Sequence, residues 1–114
     1  NGHNLLGHPK VGASWEGFVL EQALQILHPN TEYFWGTHAG AELDLVFQSG
    51  GNRYGIEIKF NEAPALTPSM RIASSELSLE HLWIIYPGNE TYPVMKNITA
   101  LPLKNLETIR EQIK

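Results

Sequence analysis

The stretch AELDLVFQSGGNRYGIEIKF, residues 41–60, constrains the fold more than any other part of the chain. Two runs that alternate apolar and polar residues flank a Gly-Gly pair, the pattern of two antiparallel strands joined by a tight turn. The alternation predicts strands over 42–48 and 53–60. If Gly50 and Gly51 are the two central turn residues, the register places Asp44 opposite Glu57 and Glu42 opposite Lys59. Side chains alternate faces along a strand. One face then carries Leu43, Leu45, Phe47, Tyr54, Ile56 and Ile58; the other carries Glu42, Asp44, Val46, Gly55, Glu57 and Lys59. A three-residue loop would change the pairing but not the faces within each strand.

Glu42 opposite Lys59 is an ordinary cross-strand ion pair, worth a few tenths of a kcal/mol, on the order of other sheet pairs. Asp44 opposite Glu57 is different, because like charges across a ladder destabilise it. Two close carboxylates tend either to share a proton or to hold a cation. Oxygen-only donors suit Mg2+ or Mn2+, which take one or two carboxylates and keep several waters. Lys59 lies on the same face, where an ammonium orients a water or neutralises charge building on a phosphate. The plainer alternative is a solvated polar face on an amphipathic hairpin. Against it, Ile58 and Phe60 frame the triplet, and a helix and a buried strand follow, so the polar face is expected to be partly covered.

The remaining elements are expected around this hairpin. Ser14 is placed to cap a helix over 15–27, stopped by Pro29. TEYFWGTH (31–38) is aromatic and prone to form a strand. Thr67 caps a helix with Pro68 at its first position, running to about residue 78. LWIIYPG (82–88) reads as a strand buried on both faces. YPVM and ITALPL read as short peripheral strands, and KNLETIREQIK (104–114) as a closing amphipathic helix. Residues 1–12 read as an irregular segment or linker, and 13–114 as one domain. The order indicates an α/β fold, a mixed sheet flanked by helices.

Composition narrows the function. At 114 residues with 42% hydrophobic and 18% charged residues, the chain is globular rather than disordered. Without cysteine it has neither disulfides nor thiolate metal sites. No apolar run approaches the ~20 residues that span a bilayer, and no signal peptide is visible, so an intracellular, cytoplasmic protein is expected. A net charge of −4 and only eight Lys and Arg argue against a broad nucleic-acid surface.

Other residues have competing readings. Glu16, in the first helical turn, suits the positive helix end. It also shares a stripe with Leu20, Leu24 and Leu27, which turns it inward toward the acid pair. Thr67 to Arg71 begin a helix whose free N–H groups, with Arg71, suit a phosphate; an ordinary capped helix with a surface arginine is the favoured reading. His38 follows the aromatic strand and is placed either near the site or in a local hydrogen bond. Trp35, Trp83 and Tyr86 sit within apolar strands and read as core. No Walker phosphate loop, zinc spacing or nucleophile elbow is present.

An acid on the first helix, an Asp on one strand and Glu-x-Lys on the next is the arrangement of PD-(D/E)xK nucleases, which this chain resembles through Glu16, Asp44 and Glu57-Ile58-Lys59. The resemblance covers roughly residues 13–87 and implies a restriction-endonuclease-like mixed β-sheet flanked by helices. Longer strings (GASWEGFVLEQ, YFWGTHAGAELDLVF, RYGIEIKF, PSMRIA and LWIIYPG) resemble the C-terminal domain of uncharacterised bacterial and archaeal AAA-type ATPases. That likeness implies an ATPase module elsewhere in the same chain, consistent with a first residue that is not Met. The nuclease likeness implies Asp44, Glu57 and the Ile58 carbonyl as ligands of Mg2+ or Mn2+, with Glu16 and Lys59 completing a catalytic set that acts on DNA. A non-catalytic interaction module on an inherited scaffold is the rival expectation, and a cation that only stabilises the hairpin is a third.

Overall fold

A computed structural model describes residues 15–113. The Ser14 cap and the irregular segment 1–12 lie outside the described residues. Helix α1 (Trp15–Leu27) buries Val19, Leu20, Ala23, Leu24 and Leu27, the stripe expected of an amphipathic helix. It ends where His28 takes a positive φ of 46° and donates its N–H to the Leu24 carbonyl at 3.0 Å.

Strands β1 (Thr31–Gly36), β2 (Glu42–Ser49) and β3 (Asn52–Ile58) form an antiparallel meander. The β2–β3 register is the predicted one, running from Ser49 with Asn52 to Leu45 with Ile56. Gly50 and Gly51 make the turn at φ 60° and 85°, left-handed values that match the twist of the hairpin and that glycine adopts freely. Helix α2 (Pro68–Glu76) then carries the chain across the sheet to β4 (His81–Tyr86), which pairs parallel to β3. Thr67 caps α2 as expected, its side chain accepting the Met70 N–H at 3.3 Å.

β5 (Tyr92–Met95) and β6 (Ile98–Pro102) complete a six-stranded mixed sheet in the order β1-β2-β3-β4-β6-β5. The expectation that both late strands are peripheral fails for β6. It lies between β4 and β5, pairs parallel to β4, and buries Ile98, Ala100 and Leu101. The expected closing helix over 104–114 is replaced by a 3-10 turn (Leu103–Asn105) and a short α3 (Thr108–Gln112). Pro102 is still extended as the last residue of β6, the 3-10 turn follows it directly, and the bent path lets Leu106, Ile109 and Ile113 all reach the core.

Helices cover both faces of the sheet. On one, α1 and α3 pack over Leu45, Phe47, Tyr54, Ile56, Trp83 and Ile85. On the other, Met70 and Ala73 of α2 pack over Val46, Leu82, Ile84 and Ile98. Leu43 belongs to this second cluster, not to the Leu45 and Phe47 face where strict alternation put it. A β-bulge is the cause. Between Tyr33–Val46 and Trp35–Leu43, two steps along β1 are matched by three along β2, so Asp44 and Leu45 together face Phe34. Leu43 then lies over Gly55, where an added Cβ would meet its Cδ2 at 2.7 Å. Among the described residues, no helix is long and apolar enough to cross a membrane.

Candidate functional site

The same bulge re-aims Asp44. The β2–β3 ladder stops at Leu45 and Ile56, and beyond it two side chains take over from the backbone. The Asp44 N–H donates to Oε1 of Glu57 at 3.0 Å, and the Ile58 N–H donates to Oδ2 of Asp44 at 2.8 Å. Each acid thus receives a backbone donor from the opposite strand. A hydrogen bond to a charged group is worth roughly 1.5–3 kcal/mol net, which partly offsets bringing two like charges together.

The two carboxylates are buried, with Asp44 2% and Glu57 6% exposed, and they are the buried charged residues among those described. Burial of charge is costly unless it is compensated. One compensating group is Lys59, whose Nζ lies 3.6 Å from Oε2 of Glu57. This is the ion pair Lys59 makes among the described residues, so the expected Glu42–Lys59 bridge does not form. Glu42 is exposed and is held through its own N–H, which donates to the Ser69 hydroxyl at 3.2 Å. Lys59 leaves the β3 ladder but donates its backbone N–H to the Ile85 carbonyl at 3.0 Å, which holds it at the strand end.

The start of α2 forms the other wall. A cleft of about 190 Å³ is lined by Glu42, Asp44, Glu57 and Lys59 from the sheet and by Thr67 and Ser69 from the helix end. Thr67 was legible as a cap, but its nearness to the acids depends on the β3–α2–β4 crossover and has no local signal. Gly40 also lines this cleft. With Glu42 it lines a second recess of about 560 Å³, formed by Phe34, Thr37 and His38 at the β1–β2 turn.

The other candidates are not among the described residues that line the cleft. Arg71 is exposed on α2 and does not line the cleft. Glu16 is half-buried in the first turn of α1 and does not line it either. That turn still approaches the site, because the Trp15 ring meets Phe60, one residue beyond Lys59, edge-on at 5.2 Å. His38 is exposed on the β1–β2 turn, and Trp83 and Tyr86 are core.

The donors present fit a hard divalent cation only in part. Among the described residues, no group of three or more His, Cys, Asp or Glu side chains converges as a metal cage. The two buried carboxylates offer only oxygen donors, and an all-oxygen pair with room for water is the donor set Mg2+ accepts. Asp44 and Glu57 are the side chains to hold such an ion.

Fold and site together define a mixed α/β domain with helices on both faces of its sheet and an acid pair with a lysine where two strands part. The chain belongs to the family described as "Domain of unknown function (DUF4143)", whose model matches residues 11–106. It is 44% identical over 115 aligned positions to an uncharacterized protein of Mycobacterium tuberculosis (strain H37Rv), and equally to one of Mycobacterium bovis. In each case the alignment covers 93% of this chain and 26% of the relative, so the chain spans about a quarter of the relatives' length. No solved structure matches it.

Proposed function

We propose that this is a Mg2+- or Mn2+-dependent nuclease-like domain that hydrolyses DNA phosphodiesters. The observation that supports this reading best is the buried pair Asp44 and Glu57 with Lys59 3.6 Å from Glu57, in a cleft open to a ligand. Asp44, Glu57 and the Ile58 carbonyl would hold the ion. Bound there, it supplies a Lewis acid that polarises the phosphodiester and lowers the pKa of an attacking water. Lys59 positions that water and offsets charge growing on the phosphate. The Ser69 hydroxyl and the start of α2 face the same cleft, where a helix N-terminus favours an anion. Glu16 acts from outside the cleft lining, as a positioning group near the strand end. The resemblance to AAA-type ATPase C-terminal domains supports an ATPase module elsewhere in the full-length protein, and the relatives are long enough to hold one.

A second reading is a non-catalytic interaction module for that ATPase, favoured by the net charge of −4 and the eight Lys and Arg. Cleavage of plasmid and branched DNA in Mn2+ separates the two. The nuclease reading expects activity that falls about a hundredfold in Lys59→Ala, the scale for losing one preorganised charge-stabilising group. Wild type and variant equally inert, with the fold intact, would favour the module.

A further inference from the structure

The acid cleft has an aromatic residue at its rim. Lys59 and Thr67 both line the cleft, so the loop 60–66 that joins them borders it. Phe60 opens that loop and is 69% exposed. We infer that the Phe60 ring stacks on an unpaired nucleobase beside the phosphodiester held at Asp44 and Glu57, so that the substrate is single-stranded DNA or a single-stranded stretch of branched DNA; this rests on the nuclease reading above.

A lone exposed apolar residue is common on protein surfaces. Phe60 is set apart by where it stands and by how it is held. Its ring meets the Trp15 ring edge-on, with centroids 5.2 Å apart and planes at 66°. Such a contact occupies at most one face of the Phe60 ring. Trp15 in turn packs against the core cluster under α1. The chain is fixed on both sides of Phe60 as well. Just before it, the Lys59 N–H donates to the Ile85 carbonyl at 3.0 Å. Within the loop, the Tyr92 hydroxyl donates to the Pro64 carbonyl at 2.7 Å. A platform held this way loses little freedom when a ligand settles on it.

The polymer supplies the ligand. Every phosphodiester in a strand is flanked by bases, so a phosphate at the acids brings a base to the residue that follows Lys59. Stacking on an aromatic side chain is the usual way proteins hold single-stranded bases, and it tolerates any sequence because every base has a π face. In an intact duplex both faces of a base are already stacked and its edge is paired, so it reaches a side chain only when flipped out. An open ring at this place therefore selects the unstacked base.

The test uses the full-length protein with three DNA probes of equal length: a single strand carrying 2-aminopurine, its duplex, and a single strand of the same backbone without bases. Binding is read by anisotropy and 2-aminopurine emission in Ca2+, and cleavage in Mn2+. The base-bearing single strand should bind more tightly than the other two and show altered emission. Phe60→Ala should weaken its binding about tenfold and raise KM more than it lowers kcat, while Phe60→Tyr, which keeps the ring, restores both. The baseless strand should bind wild type and Phe60→Ala equally. If Phe60→Ala weakens both single strands alike, the residue only supports the fold and the inference falls. The wild-type comparison of the two single strands keeps the test valid if Phe60→Ala fails to fold, since equal binding of both would overturn the inference by itself. If the protein cuts DNA and Lys59→Ala does not, but Phe60→Ala and base removal change nothing, the stacking inference falls and the nuclease reading stands. If no probe is bound or cut, both fall.

Discussion

Asp44 carries two separable jobs, and replacing it in two ways tells them apart. Its Oδ2 accepts the buried Ile58 N–H at 2.8 Å. Asp44→Ala leaves that N–H without its acceptor, a cost of about 1–3 kcal/mol. Asp44→Asn keeps an acceptor oxygen for that N–H, so it should be more stable than Asp44→Ala. For a chain of this size 1 kcal/mol is about 4 °C in Tm, which puts Asp44→Ala about 4–12 °C below Asp44→Asn. Mg2+ or Mn2+ at tenfold its dissociation constant should add about 1.4 kcal/mol to wild type, or about 5 °C, from mass action alone. Neither variant should respond. Thermal unfolding followed by circular dichroism, with chelator and then with metal, reads all these values. An Asn variant that keeps the full metal response would refute the carboxylate site. Ala and Asn variants of equal stability in chelator would refute the role given to the Ile58 bond.

Gly55→Ala should destabilise the fold by about 1–3 kcal/mol, the scale of overpacking, since its Cβ would meet Leu43 Cδ2 at 2.7 Å and Leu79 Cδ1 at 2.9 Å; the urea midpoint measures it. Burial holds the His81 pKa below its usual 6.5, opposed by the nearby Glu80 carboxylate, and its Nε2 lies 2.7 Å from the Thr99 hydroxyl. The unfolded chain therefore binds the proton more readily, so stability falls as pH drops through 6.5 toward the lowered folded value. Tm measured from pH 7.5 to 5 should show this slope, and His81→Gln should flatten it.

The hairpin was legible because each signal in it is local. Alternation located both strands, the Gly-Gly pair set the turn, and the register followed. Asp44 and Glu57 were brought together on that basis alone. The bulge was not legible, because an extra residue in β2 has meaning only against β1, and nothing in ELDLVF marks it; hence Leu43 was assigned to the wrong face. The place of β6 depends on a parallel pairing with β4, which leaves no mark in ITALP beyond its apolar character. Ser69 was hidden for the same reason: its value lies in where the crossover delivers the start of α2, not in the helix itself.

The extra residue in β2 ties chemistry to architecture. Deleting one position there would restore even alternation, and in doing so would swing Leu43 out from under α2 and withdraw the carboxylate from Ile58. A lineage can therefore swap amino acids at this spot but cannot change the number of them. Persistence of the aspartate in a descendant that had stopped using it would be no surprise, since its neighbours depend on the same irregularity.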